Sequence, residues 1–596
     1  MREPIVRFLE RGRRAERRDL RDLHLKPVEE RVADGSAIAG LRRIEQRGDA
    51  AVYRIPGTAT KLRPGDACWL SSGAEITSGR PVEIEEIDLG AGVLVLRPDR
   101  FADASGPPPE GGVLDRRNLD LTDHLVRGLE PIFDDERGRL AGADWVRRAV
   151  EGEAELGPRN DRLARAKEAV EADALTESQR EAFSAAVAAR ELALVQGPPG
   201  TGKTRVAAAV VLEALRHGEK VLVSALTHRA INNVLAAVAT LGEKSRGHRV
   251  FKIGRPHQGA ELRALGIESR TRLQKGAVLP GEGMVVGATT FGAVKLRRDY
   301  SPFDLVLLDE AGQVPIPHAM SAFAGGLRGV VVGDHRQLGP VVAGGGTGDP
   351  MERSIFEHLA ERYRGRIHLL RESWRMNAGI CRFSSRFFYE DAVVPHKSAA
   401  DRRLQLDEGG QYRAILDPEK ASVWVAVDHL ARRNHSREEA RVVAALVREL
   451  VSHHGVPPAE IAVVSPFRAH AGAVSHELAR AIPEAAGALI EGLVVDTAER
   501  IQGQEREVVL YTFGSSDRDY LSRNAEFLFD PGRLNVALTR ARTKRIIIGS
   551  PEVARARPRK LEALRRAALV QALWSEHIPI EQATPECDTI RVRWEE

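Results

Sequence analysis

Leu192-Ala-Leu-Val-Gln-Gly-Pro-Pro-Gly-Thr-Gly-Lys-Thr204 constrains the fold of this chain more than any other stretch: an apolar run passes into a glycine-rich loop and then into helix-forming sequence. That layout makes a phosphate cradle. Gly197 and Gly202 let backbone N–H groups close around phosphates at a helix N-terminus, which already favours anions. Pro198, Pro199, Gly200 and Thr201 complete the loop. Lys203 would neutralise β- and γ-phosphates, and the Thr204 hydroxyl would ligate Mg²⁺. A chance glycine turn before a helix is the bland alternative, and it loses ground as partner motifs accumulate downstream.

The 596-residue chain is long enough for three or four domains, and 43% hydrophobic with 29% charged residues is ordinary for globular protein. A formal charge of +4 permits a polyanionic partner without demonstrating one. Arg11, Arg13, Arg14, Arg17, Arg18 and Arg21 crowd the front, which reads as a solvated helix face or a loose arm rather than a dedicated nucleic-acid contact. Cys68, Cys381 and Cys587 form no CxxC pair, so a zinc ribbon or cysteine-bound cluster is not expected and a reducing compartment is. The first residues alternate charge with isolated apolar residues and no long uncharged apolar run follows, so neither a signal peptide nor a membrane span is expected. A soluble, cytoplasmic protein is expected.

Residues 1 to about 35 read as helical, and from 36 to 100 short β-like runs suit a small barrel: Ala51–Ile55, Ala67–Leu70, Pro81–Ile84 and Gly92–Leu96. Phe101–Gly112 reads as a loop and Leu114–Ala174 as mainly helical. Beyond Ala174 apolar strands alternate with helical stretches, the pattern of parallel α/β sheets. The first series is Leu192–Val195, Val221–Ser224, Met284–Gly287, Leu305–Leu308 and Gly329–Val332. The second is Val423–Val427, Ile461–Val464, Leu493–Val495, Val508–Phe513 and Ile546–Gly549. Between them Ala343–Pro350, rich in glycine, reads as a hinge.

Phe303–Gln313 places Asp309 and Glu310 together at the end of a buried strand. Asp309 can hold Mg²⁺ while Glu310 polarises the water that attacks a γ-phosphate. Gly333–Pro340 also follows an apolar strand, so Gln337 could sense the γ-phosphate and Asp334 could fix the loop. Upstream, Thr176 caps a helix and Gln179 offers an amide to one edge of adenine, which would favour ATP. His453 and His454 tempt a metal reading, but nothing nearby completes a ligand set, so a solvated helix end is expected.

Gly-Pro-Pro-Gly-Thr-Gly-Lys-Thr, Asp-Glu-Ala-Gly-Gln, Gly-Asp-His-Arg-Gln-Leu and Arg533-Leu-Asn-Val-Ala-Leu-Thr-Arg-Ala-Arg542 follow one another in an order that resembles the superfamily 1 helicases. The subgroup most resembled includes the up-frameshift RNA-surveillance and immunoglobulin-mu-binding helicases. The resemblance implies an α/β fold of two tandem RecA-like P-loop lobes, with a small β-barrel on a helical stalk before them. It divides the chain into a basic helical segment (1–35), an OB-like barrel (36–110), a stalk (111–174), lobe 1 (175–345), lobe 2 (346–552) and a C-terminal tail (553–596).

Carried onto this sequence, the resemblance makes Arg375 and Arg540 the second lobe's γ-phosphate arginines, so that hydrolysis requires lobe closure. It puts Glu505 on the ribose, and Thr227, Thr289 and Thr290 on a phosphodiester backbone; a helix cap is the competing role for each threonine. Trp374 replaces a usual tyrosine against adenine and keeps the stacking, whereas Leu226 and Asn232 depart from the usual residues of their segment. The implied activity is ATP-dependent, 5′-to-3′ movement on single-stranded DNA or RNA by a monomeric motor with no membrane partner. A translocase or ribonucleoprotein remodeller that unwinds poorly, a non-translocating ATP-dependent switch and, more remotely, a P-loop kinase are the alternatives.

Overall fold

The computed structural model describes residues 2–595 except 57–59, 74–75, 89–90, 100–109, 118–119, 135–142, 171–174, 243–248, 272–282, 301, 347, 483–491 and 582–589. Most of the expected Phe101–Gly112 loop, and Cys587, lie outside the described residues.

A closed barrel comes first, built from β1 (Ala37–Arg47), β2 (Ala50–Arg54), β3 (Ala67–Ser71), β4 (Arg80–Asp88), β5 (Val93–Pro98) and β6 (Gly111–Arg116) in the order β1-β2-β5-β4-β3-β6. All pairings are antiparallel, and β6 closes the ring onto β1 and β3. The barrel therefore runs to Arg116, which corrects its expected end at 110, and it is closed by six strands where the sequence suggests four β-like runs. Inward residues at alternate positions, such as Ala51 with Tyr53 and Leu94 with Leu96, fill its core.

The basic helix Arg2–His24 is docked rather than loose. Ile5, Phe8 and Leu9 enter one core with Leu125 and Leu129 of the helix Thr122–Phe133 and with lobe 1 residues. Three of the front arginines tie the helix to the rest of the chain: Arg13 reaches Asp120 (2.6 Å) and Asp123 (3.2 Å), Arg17 reaches Asp120 (2.9 Å), and Arg11 reaches Asp349 (3.0 Å) and Glu352 (2.9 Å).

Lobe 1 is a sheet of β7 (Leu192–Gln196), β8 (Lys220–Ala225), β9 (Arg249–Ile253), β10 (Glu268–Arg270), β11 (Met284–Thr289), β12 (Leu305–Leu308), β13 (Gly329–Gly333) and β14 (Ile367–Leu369), in the order β10-β9-β11-β8-β12-β13-β7-β14. Every pairing is parallel. Helices cover both faces, so the strands are buried on both sides: Leu192 and Leu194 face one core, Ala193 and Val195 the other.

The chain does not leave this lobe at 345. Ile355, Phe356 and Leu359 lie in the lobe 1 core, and β14 pairs with β7, so lobe 1 runs to about Leu370. The expected hinge at Ala343–Pro350 was read from its glycines, but burial and pairing of the sequence after it keep it within the lobe. A short pair, β15 (Glu372–Ser373) with β16 (Val394–Pro395), marks the crossing.

Lobe 2 contains β17 (Ser422–Val427), β18 (Ile461–Val464), β19 (Val494–Asp496), β20 (Arg506–Thr512), β21 (Ala541–Gly549), β22 (His577–Glu581) and β23 (Ile590–Glu595) in the order β19-β18-β20-β21-β17-β23-β22. The first five are mutually parallel, and β23 joins β17 antiparallel. Val570 and Leu573 of the helix Leu561–Ser575 are buried in the same core. The helix Leu561–Ser575 and strands β22 and β23 thus complete lobe 2, which corrects the expectation of a tail over 553–596. The helix Leu561–Ser575 packs and β23 pairs although neither carries a motif.

Candidate nucleotide site

The phosphate loop lies between β7 and the helix Lys203–Arg216, whose N-terminal N–H groups are left for an anion. It is held from several sides. Gly197 N–H donates to Gly333 O (3.0 Å), the Thr201 hydroxyl to Pro198 O (2.7 Å), and Lys203 Nζ to Gly197 O (2.5 Å). Gly200 takes φ 73°, and a Cβ there would meet Ser373 Oγ at 2.8 Å and run into Arg375, so only glycine fits. Gln179 is buried and spends its amide internally: Nε2 donates to Thr201 O (2.9 Å) and Oε1 accepts from Thr176 N–H (3.1 Å). In this arrangement Gln179 braces the loop.

Asp309 and Glu310 follow β12 on the neighbouring part of the sheet. Asp309 is buried, and its Oδ1 has no hydrogen-bond partner. Burial, with Glu310 beside it, pushes its carboxyl up to about 7, and Lys203 opposes that shift. A buried carboxylate with an orphaned oxygen, within electrostatic reach of the phosphate-loop lysine, fits a Mg²⁺ ligand, and the half-buried Thr204 hydroxyl is the second candidate. Glu310 takes φ 50°, a left-handed conformation that costs a non-glycine residue about 1–2 kcal/mol. Gln313 Nε2 holds it at 3.2 Å.

Groups from beyond β14 close the other side. Trp374 N–H donates to Gly200 O (2.8 Å) and the Ser373 hydroxyl to Pro199 O (3.0 Å), fixing this segment to the phosphate loop. The Trp374 ring stacks on His396, with centroids 3.5 Å apart and planes within 17°. Arg375 Nε donates to Glu505 Oε2 (2.7 Å) and Nη1 to Thr539 O (3.3 Å). Although partial burial works against it, Arg375 holds the Glu505 carboxyl below the usual carboxylate range.

Arg540 is buried and donates to Val536 O (2.9 Å), Gln504 O (3.2 Å) and, across the lobe boundary, Gln337 Oε1 (3.4 Å). Burial and then Arg375 push Arg540 down to about 9, so it stays charged at neutral pH, with Glu310 and Glu505 in opposition. The structure thus brings the phosphate loop, Asp309, Glu310, Gln337, Trp374, Arg375, Glu505 and Arg540 into one inter-lobe neighbourhood.

The three threonines behave differently. Thr227 and Thr289 accept from backbone N–H groups of Ala230 (3.3 Å) and Gly292 (3.2 Å), the role of helix caps. Thr290 is fully buried, so the expectation that it touches a strand is corrected for this conformation: a hydroxyl inside lobe 1 cannot reach one. Among the described residues no group of three or more His, Cys, Asp or Glu could hold a metal, and His454 lies 4.0 Å from Glu449. No helix among them is long and apolar enough to cross a membrane. Sequence reasoning missed Tyr389 and Asn535, which are buried at the lobe boundary; Tyr389 stands in no motif, and within Arg533–Arg542 only Arg540 is given a role.

Fold and site together define a two-lobed P-loop nucleoside-triphosphatase, with the phosphate loop in one lobe and Arg540 of the other lobe at the boundary. Two family signatures, each described as an AAA domain, match residues 174–377 and 351–552. The chain is 28% identical over 393 residues to the DNA replication ATP-dependent helicase/nuclease JHS1 of Arabidopsis thaliana, a match covering 63% of this chain and 28% of that one. It is 27% identical over 408 residues to the human DNA replication ATP-dependent helicase/nuclease DNA2, covering 63% and 37%. Against the rat DNA-binding protein SMUBP-2 it is 27% identical over 428 residues, covering 62% and 42%. The matched region is thus less than half of each of these relatives. Among solved structures, the arterivirus nonstructural protein 10 helicase is 14% identical, with a TM-score of 0.37 over 88% of this chain and 80% of that one, and nothing further rests on that likeness. The two AAA domains and these relatives support an ATP-hydrolysing enzyme similar to the superfamily 1 helicases of the up-frameshift-like type.

Proposed function

We propose that the chain is an ATP-driven motor that moves 5′ to 3′ along single-stranded nucleic acid and separates duplex ahead of it. The observation that carries this reading is the contact of Arg540 with Gln337 across the lobe boundary, because an arginine supplied by a second lobe makes hydrolysis depend on lobe closure. Lys203 and the loop N–H groups would hold the phosphates of ATP, and Glu310 would orient the attacking water. Arg375 and Arg540 would stabilise charge on the transferring phosphoryl group, Trp374 would stack on adenine, and Glu505 would take the ribose. Thr204 and Asp309 would hold Mg²⁺, which supplies neutralisation of phosphate charge when bound.

DNA is favoured as the track, since the relatives above are named for DNA replication and DNA binding. Free, buried Cys68 and Cys381 support a reducing, cytoplasmic compartment. Direction rests on the subgroup resemblance. Strand displacement on duplexes with a 5′ or a 3′ single-stranded tail, with ATP and with a non-hydrolysable analogue, tests it, alongside ATPase stimulation by single-stranded DNA and RNA of equal sequence. Displacement of the 5′-tailed duplex with ATP alone is expected. A 3′ preference overturns the direction, stimulation without displacement favours a translocase, and ATPase indifferent to nucleic acid favours a switch.

A further inference from the structure

Tyr389 stands outside every motif, yet its hydroxyl is at the centre of a buried hydrogen-bond network that crosses from one lobe to the other. It ends the helix Ala378–Phe388 and belongs to the lobe 2 core. Its hydroxyl donates to Asp334 Oδ2 (2.6 Å), which closes the loop after β13 in lobe 1, and accepts from Asn535 Nδ2 (2.8 Å). The same Asp334 oxygen accepts from Gln337 Nε2 (2.8 Å), while Oδ1 accepts from Gln196 Nε2 at the foot of the phosphate loop (3.1 Å). Asn535 also donates to Arg336 O (2.9 Å) and accepts from the Ser384 hydroxyl (2.8 Å). Asn535 lies on the helix Pro531–Leu538, which leads directly into Arg540. At the start of that helix Gly532 packs against the Gln337 carbonyl with no room for a Cβ.

We propose that Tyr389 is a positioning residue that latches the Gln337 loop to the helix carrying Arg540, so that the γ-phosphate group of one lobe and the arginine of the other are set by a single hydrogen-bonded unit. Asp334 has only two carboxylate oxygens, and both are shared between the phosphate-loop strand, Gln337 and Tyr389. A Gln337 amide drawn to a phosphate must therefore release or re-aim Asp334, and Tyr389 passes that change to Asn535 and its helix. Burial makes the exchange two-state: a polar group that leaves this network must find another partner, because water does not reach it. Beside an aspartate and in the protein interior, the Tyr389 phenol is held well above its ordinary range, so it stays a donor at every physiological pH.

The latch rests on the reading that Gln337 and Arg540 act on ATP, and the experiment separates the two. ATPase kcat and KM are measured with and without saturating single-stranded DNA for the full chain, Tyr389→Phe, Gly532→Ala and Arg540→Ala. Tyr389→Phe removes one hydroxyl and keeps the ring; it is expected to lower DNA-stimulated kcat about tenfold, the effect of losing one hydrogen bond to a charged group, with KM for ATP within about twofold. Gly532→Ala keeps the hydroxyl and separates the helix from the loop, and the same kcat-only loss is expected. If Arg540→Ala abolishes turnover while Tyr389→Phe and Gly532→Ala match the unmodified chain, the latch is overturned and the ATPase reading stands. If kcat and KM worsen together in step with a lowered melting temperature, Tyr389 is only a packing residue and the proposal is likewise overturned. Indifference of turnover to Arg540→Ala overturns the reading beneath it.

Discussion

The backbone N–H of Trp374 donates to the carbonyl of Gly200 at 2.8 Å, so the segment that leads out of lobe 1 is tied to the turn of the phosphate loop. The aromatic ring proposed for adenine and the guanidinium of the next residue, Arg375, are thereby placed by the loop that would hold the phosphates. Arg375 in turn engages Glu505 and Thr539 of lobe 2. This bond, with that of the Ser373 hydroxyl to Pro199 O, sets the spacing between the phosphate loop, the Trp374 ring and the arginine that engages lobe 2.

Lys203 and Glu310 are expected to fail in different ways. Lys203→Ala should weaken nucleotide binding, because its ammonium is the loop's charge for the phosphates, whereas Glu310→Gln should retain ATP and lower kcat about a hundredfold or more as water is no longer activated. Equilibrium binding of a fluorescent ATP analogue, set beside steady-state turnover, checks both. Near-normal turnover of Glu310→Gln would remove that residue from the chemistry.

Trp374→Ala should raise KM for ATP far more than it lowers kcat. The loss expected for one base stack is about 1–3 kcal/mol. His396 already covers one face of the indole, so nucleotides with different bases should be discriminated less well by the variant. An unchanged KM would assign the ring to packing alone.

Arg540→Ala should depress kcat by about 10³ or more while ATP still binds, and Arg540→Lys should not rescue it, because an ammonium cannot reach Gln504 O and Gln337 Oε1 together. Single-turnover kinetics separate this from a slow product-release step.

Asp309→Asn should abolish ATPase and raise the melting temperature of the nucleotide-free protein. The sign follows from its folded-state value of about 7 against an ordinary 3.8. Between these values the folded chain binds the extra proton, so the native carboxyl loses stability as pH rises through the window, and above about 7 it bears the full cost of a buried charge. The stabilising effect of asparagine should therefore be greatest above pH 7 and vanish towards pH 4. A gain independent of pH would show that the carboxylate is not the source. Melting curves in chelator across that range provide the measurement.

Local chemistry made the phosphate loop, the Asp309–Glu310 pair and ten of the fifteen strands in the two lobe sheets legible, because each depends on neighbours within a few residues: an apolar run such as Leu305–Leu308 must be covered on both faces, and a glycine-rich turn before a helix leaves N–H groups bare. Other features depend on partners far along the chain. β1 and β6 of the barrel alternate poorly and are identified by pairing with each other, and the hinge suggested by the Ala343–Pro350 glycines gave way because β14 returns to β7. The helix Leu561–Ser575 and strand β23 carry no motif, yet packing and antiparallel pairing make them part of lobe 2.

In the site, residue types and spacing singled out Lys203, Asp309 and Glu310, since charge placed beside a phosphate loop has few other uses, whereas Arg375 and Arg540 were named only through the family resemblance. Tertiary structure alone decided that Gln179 braces the loop, that Thr290 is sealed inside lobe 1, and that Tyr389 and Asn535 join the two lobes. The physical reason is that a buried amide or hydroxyl acquires its role from whichever polar group folding places within about 3 Å of it, and sequence spacing carries no record of that partner.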